Sequence, residues 1–157
     1  MGTSVSQVIS QVGIETFEKL AFMFAFPKEE TGQPVENRVS AGVVFRGPFS
    51  GRVIMHVSDT ILPELAANML GVEDEGAVTL DQQYDALKET LNIVCGNLLP
   101  AIAGEEPVFH VEMPCILSGE EDLSSAPEAR VGLELDEGEC EIALYVDQGD
   151  LPKGSVG

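Results

Sequence analysis

A chain of 157 residues with 27 acidic against 8 basic side chains, a net charge of −19, is poorly suited to nucleic acid or anionic lipid, since like charges repel. Its 44% apolar content excludes disorder, the length suits a single domain spanning residues 1–157, and the longest apolar run, Leu20 to Pro27, is far below the about 20 residues needed to span a bilayer. The start Met-Gly-Thr-Ser-Val has neither the basic flank nor the apolar core of an export signal, which makes a cytoplasmic protein the expectation. Cys95, Cys115 and Cys140 cannot all pair and show no metal-ligand spacing, so they are expected to be buried free thiols.

Ser4 followed by Gln7 forms a capping box, and Val5, Val8, Ile9, Val12, Phe17, Leu20 and Phe24 keep helical spacing, which predicts a first long helix from Val5 to Phe26, stopped by Pro27. Phe22, Met23 and Phe24 then read as part of a helix buried on several sides. A polar loop, Lys28 to Glu36, follows. Val39 to Phe45 and Arg52 to Val57 are rich in β-branched residues and flank Gly47-Pro48-Phe49-Ser50-Gly51, the pattern of an antiparallel hairpin. Ser58 or Asp59 is placed to cap a short helix through Leu62, Leu65, Ala66 and Met69 that stops before Gly71.

Beyond an acidic linker, Thr79 or Asp81 opens a second long helix reaching about Ala103 and closed by Pro100 and Gly104. At about 100° per residue, Tyr84, Leu87, Leu91, Val94, Cys95 and Leu98 share one side and Asp85, Glu89, Asn92 and Gly96 share the opposite one. The first set should face the core and the second water or a partner. Strands are expected at Val108 to Leu117, Ala129 to Leu135 and Cys140 to Val146, with an acidic loop at Ser118 to Pro127 and a turn at Asp136-Glu137-Gly138. The order is helix, strand, strand, helix, helix, strand, strand, strand. A weak internal repeat lays Phe17-Glu18-Lys19-Leu20-Ala21 over Lys88-Glu89-Thr90-Leu91-Asn92, placing Ala21 where Asn92 stands.

Asp85, Glu89, Asn92 and Pro114 also satisfy a longer pattern: an Asp or Ser, three residues, Glu, two residues, Asn, 21 residues, Pro. In this the sequence resembles the CheC/CheX/FliY family of chemotaxis phosphatases. The similarity extends to Gly47 through Val57, to the Leu62 to Gly71 helix, to Asn92-Ile93-Val94-Cys95-Gly96-Asn97 and to Val111-Glu112-Met113-Pro114. With a single complete motif the chain is closest to the CheX type.

The resemblance implies an α/β (α+β) domain, a mainly antiparallel sheet with two long helices on one face, and a homodimer whose sheets join at exposed edge strands. It implies an aspartyl-phosphate phosphatase acting on a phosphorylated CheY-like response regulator, with any metal ion on the regulator and no cofactor or metal of its own. A non-catalytic regulator-binding or flagellar-switch-like module is the alternative. Hydrolysis of an acyl phosphate depends on positioning an in-line water, and an amide such as Asn92 can accept from that water without ionising. Glu89, one turn away, is implied to pair with a regulator lysine, and Asp85, Ile93 and Gly96 are candidate partner contacts. Ile93 can equally be half-buried against the neighbouring helix, and Gly96 can equally admit that helix's backbone. His56, His110 and Asn97 read as structural, and Pro114 as a shaping residue of its strand.

Overall fold

The computed structural model describes residues 4–28, 35–118, 126–149 and 151, so parts of both expected polar loops lie outside the described residues. In chain order the elements are helix α1 (Val5–Ala21), strands β1 (Phe26–Pro27), β2 (Arg38–Arg46) and β3 (Ser50–Ser58), helices α2 (Leu62–Leu70) and α3 (Leu80–Ala103), and strands β4 (His110–Val111), β5 (Cys115–Ile116), β6 (Ala129–Leu135) and β7 (Gly138–Gln148). Among the described residues the strands form one sheet in the order β1-β6-β7-β3-β2-β4, with β5 also paired to β2, and every pairing is antiparallel. No helix among the described residues is long and apolar enough to cross a membrane.

Both long helices begin with the same device. Ser4 and Thr79 each accept from the backbone N–H three residues on, and the side-chain oxygen of Gln7 or Gln82 accepts from the cap's own N–H. One face of the sheet, including Phe45, Val53, Met55, Leu133 and Ile142, meets Ile9 and Phe17 of α1 and Leu87, Leu91 and Leu98 of α3 in the main core. Each such side chain contributes roughly 1.5–3 kcal/mol by leaving water. Gly13 lets α1 lie close on the sheet, because a Cβ there would stand 2.8 Å from Ile142 Cδ1 and 3.0 Å from Leu133 Cδ1. Asn68 Nδ2 donates to the Ala21 carbonyl at 2.7 Å, tying α2 to the end of α1. The other sheet face carries a smaller cluster of Ile54, Ala143 and Tyr145 against Leu117.

Several expectations are corrected. The first helix ends at Ala21, not Phe26, because Phe22 turns left-handed (φ 56°) and caps it, its N–H donating to Glu18 at 3.0 Å and that of Met23 to Phe17 at 3.1 Å. The chain then runs extended, so burial alternates: Met23 and Ala25 point inward while Phe22, Phe24 and Phe26 are 75%, 63% and 63% exposed. These phenylalanines are therefore not part of a buried helix, and Pro27 sits on an edge strand. The single strand expected over Val108 to Leu117 is two short pairings separated by 112–114, since Pro114 has no N–H for a ladder. Neither Ser58 nor Asp59 caps α2 through its side chain; a 3-10 turn, Asp59–Ile61, leads into it, and Ser58 Oγ instead accepts from Glu139 N–H at 2.9 Å. Cys95 and Cys140 are buried thiols, and burial pushes Cys95 up to about 12, but Cys115 on the short β5 is exposed.

His56 is the buried polar group of β3, with Nδ1 2.5 Å from Ser40 Oγ across the β2 ladder. Burial, with Arg38 and Arg130 nearby, lowers its pKa from 6.5 to about 4. The unfolded chain binds a proton near 6.5 and the folded chain only near 4, so this group's contribution is intact above 6.5 and declines as pH falls through that window. Urea midpoints recorded between these two values should therefore fall less steeply with acidification in His56→Gln than in wild type, and parallel slopes would remove His56 as a cause.

Candidate functional site

The site is built on the phase of α3. Leu87, Leu91, Val94, Cys95 and Leu98 are buried, with Tyr84 packed at their edge, which leaves Asp85, Glu89, Asn92 and Gly96 exposed on the far side as the helical arithmetic requires. Thr90 lies between the two stripes without disturbing them, its hydroxyl donating to the Ala86 carbonyl at 2.8 Å.

Opposite that stripe stands the outer edge of β2. Strand β4 pairs at Phe45 and Arg46 and β5 at Ala41 and Gly42, so 112–114 stand against only Val43 and Val44, and the one extra residue makes a bulge in this edge. Glu112 N–H donates to the Val44 carbonyl at 2.9 Å, and its carboxylate pairs with Arg46. Asp85, Lys88, Glu89 and Asn92 from α3 and Val111, Glu112, Met113 and Pro114 from this edge line one open groove of about 500 Å3. The four residues of the spaced motif, remote in sequence, meet there.

Within the groove Asp85 is paired with Lys88 at 3.3 Å, whereas no described residue engages the side chains of Glu89 and Asn92. A free carboxylate and a free amide, about 4.5 Å apart along the helix axis, can each accept, and the amide can also donate. No group of three metal-ligating side chains occurs among the described residues.

The sequence of residues 39–136 matches the family model described as chemotaxis phosphatase CheX. The chain belongs to this family. The matched span contains all four motif residues, and membership makes the protein a phosphatase of the CheX type. Similar solved folds include CheX from Desulfovibrio desulfuricans (TM-score 0.71, 16% identity, 91% of this chain and 99% of that one). The CheX-CheY-BeF3-Mg complex from Borrelia burgdorferi (0.66, 18%, 90% and 97%) and Thermotoga maritima FliY (0.60, 13%, 90% and 86%) share it too. No curated protein matches the sequence.

One expected contact and the internal alignment fare differently. Ile93 faces a separate groove of about 620 Å3 between α1 and α3, shared with Val12, Leu20 and Asn97, and is not brought together with Asn92. The overlay of Ala21 on Asn92 fails on burial, because it sets buried Ala21 on exposed Asn92 and exposed Lys19 on buried Thr90. The register that matches burial sets Thr16 on Thr90. Both hydroxyls donate to the carbonyl four residues back, at 2.7 and 2.8 Å, and Gln11, Glu15 and Glu18 then fall on Asp85, Glu89 and Asn92, all exposed. The first helix thus repeats the acid and carries a second acid in place of the amide.

Sequence reasoning missed Lys88, Glu112 and Met113 as groove residues; the Met113-Pro114 break in a strand pattern was the available signal. Gly96 admits no internal backbone, since a Cβ there would meet nothing within 4 Å. Gly96→Ala should accordingly raise stability by about 1 kcal/mol through helix propensity, read from denaturant midpoints. A loss of stability would mean that a neighbour does occupy that space.

Proposed function

We propose that this CheX-type phosphatase hydrolyses the aspartyl phosphate of a CheY-like receiver domain in the cytoplasm, with Asn92 holding the attacking water and Glu89 fixing the docked receiver. The observation that carries this is the single groove in which Glu89 and Asn92 stand free beside Pro114. An unengaged amide can enter a partner's active site, accept from water and hold it in line with phosphorus, a task of positioning that needs no ionisation. Glu89, on the same face one turn earlier, suits a charge-assisted bond to a receiver lysine. Asp85 belongs to the rim of this contact, and its bond to Lys88 holds it on the helix side of the groove. Gly96, exposed further along the stripe, extends the flat face a receiver would cover. The metal ion of the reaction belongs to the receiver in this scheme. The complex from Borrelia burgdorferi, a CheX with a CheY, is a neighbour whose partner is of that class.

We propose in addition that two copies join through the β1 edge. Phe22, Phe24 and Phe26 form an uncovered aromatic row there, and Phe22 holds a left-handed backbone that costs on the order of 1 kcal/mol and that glycine would adopt freely. A self-complementary apolar row beside an open edge strand suits an isologous interface.

Asn92→Ala should slow loss of phosphate from an acetyl-phosphate-labelled receiver by about 100-fold or more while leaving receiver binding largely intact. Glu89→Ala should chiefly weaken binding. Equal decay with wild type and Asn92→Ala would leave only the binding-module alternative. For the dimer, light scattering should show Phe24→Glu reduced to the mass of one chain with an unchanged circular dichroism spectrum, and a wild type already monomeric sinks this part.

A further inference from the structure

We infer that Met113 is an apolar docking residue for the receiver domain that carries the substrate phosphate, an inference that rests on the phosphatase reading of the Glu89–Asn92 groove. Met113 is 90% exposed and, with Val111, Glu112 and Pro114, lines the side of the groove across from Glu89 and Asn92; it also borders a smaller hollow of about 190 Å3 beside Gly42, Ile54 and Leu117. The fold makes little use of it: its backbone position is set by the pairings at Val111 and Cys115, by the Glu112 N–H bond to Val44 and by the Arg46–Glu112 ion pair. A segment anchored at both ends that presents an uncovered methionine suits contact with a partner, and the thioether's unbranched, polarisable chain adapts to an apolar surface.

The choice of occupant follows from geometry and charge. Any protein that brings a phosphoryl group to Asn92 must enter this groove, and a stable interface of about 800 Å2 per partner is much wider than the groove, so the receiver covers Met113 as well. The chain carries a net charge of −19, and a phosphorylated receiver brings further negative charge to the contact. Glu89 can satisfy one cation; burial of Met113 supplies attraction that is independent of charge.

The test is a steady-state comparison on a phosphorylated receiver. Met113→Ala should raise KM about tenfold with kcat within about twofold, Met113→Leu should restore KM, and Asn92→Ala should show the opposite split. Because Met113 is exposed, melting temperatures should not change. An unaltered KM in Met113→Ala, with wild type active and Asn92→Ala inactive, overturns the docking role and leaves the phosphatase reading standing. If wild type itself fails to hydrolyse, the phosphatase reading falls. Affinity for a receiver bearing beryllofluoride then decides the docking role alone: a loss of about tenfold in Met113→Ala supports it, and equal affinity overturns it.

Discussion

The functional geometry depends on one packing constraint, the burial of Leu87, Leu91, Val94, Cys95 and Leu98 against the sheet and the neighbouring helices. An α-helix has no freedom to rotate one stripe without the other. Once four aliphatic side chains, each contributing roughly 1.5–3 kcal/mol, together with the Cys95 thiol fix the roll of α3, Asp85, Glu89 and Asn92 must face outward. Rotating the helix far enough to hide the amide would expose several of those side chains together. The orientation of two small polar groups is thus held by a core with which neither makes contact, and the Thr79–Gln82 capping box sets where the helix begins.

The second wall depends on a local failure of β structure. Strands β4 and β5 both pair with β2, and a continuous strand between them would lie flat against that edge. Glu112 N–H still reaches the Val44 carbonyl, but Pro114 cannot donate, so the ladder lapses at 113–114, which line the groove across from α3. The Glu112–Arg46 pair is exposed and contributes little to stability. It ties Glu112 to the end of β2, where its backbone N–H is also held by Val44. A flat edge would have left Asn92 on an open helix surface.

The legible part of this fold was the part governed by strict periodicity. The period of 3.6 separates the two faces of α3 without reference to the rest of the chain, and the β-branched runs around Gly47 to Gly51 specify the β2–β3 hairpin. Phe22 to Pro27 was illegible for a physical reason: Leu20, Phe24 and the apolar residues between them fit a helix as well as a strand. What decides is the left-handed turn at Phe22 and the pairing of Phe26 with Glu134, a residue 108 positions later. Short apolar runs carry no information about such distant partners. The spaced motif stated which residues belong together, while Met113 and Glu112 became groove residues only through the bulge of the chain between β4 and β5.

The two long helices show why only one of them carries the complete motif. In the register fixed by Thr16 and Thr90, Glu18 occupies the place of Asn92. An ionised carboxylate only accepts, has no hydrogen to donate, and brings negative charge toward a phosphoryl group, so it cannot replace an amide there. Nor would an amide alone be enough. Pro114 lies 22 residues beyond Asn92, and 22 residues beyond Glu18 stands Ser40. Ser40 sits inside the β2–β3 ladder with its hydroxyl against His56, and its carbonyl accepts from Leu117 N–H at 2.8 Å. A strand held on both sides cannot leave the ladder as 113–114 does. Two independent features, the missing amide and the missing wall, therefore separate the first helix from the second.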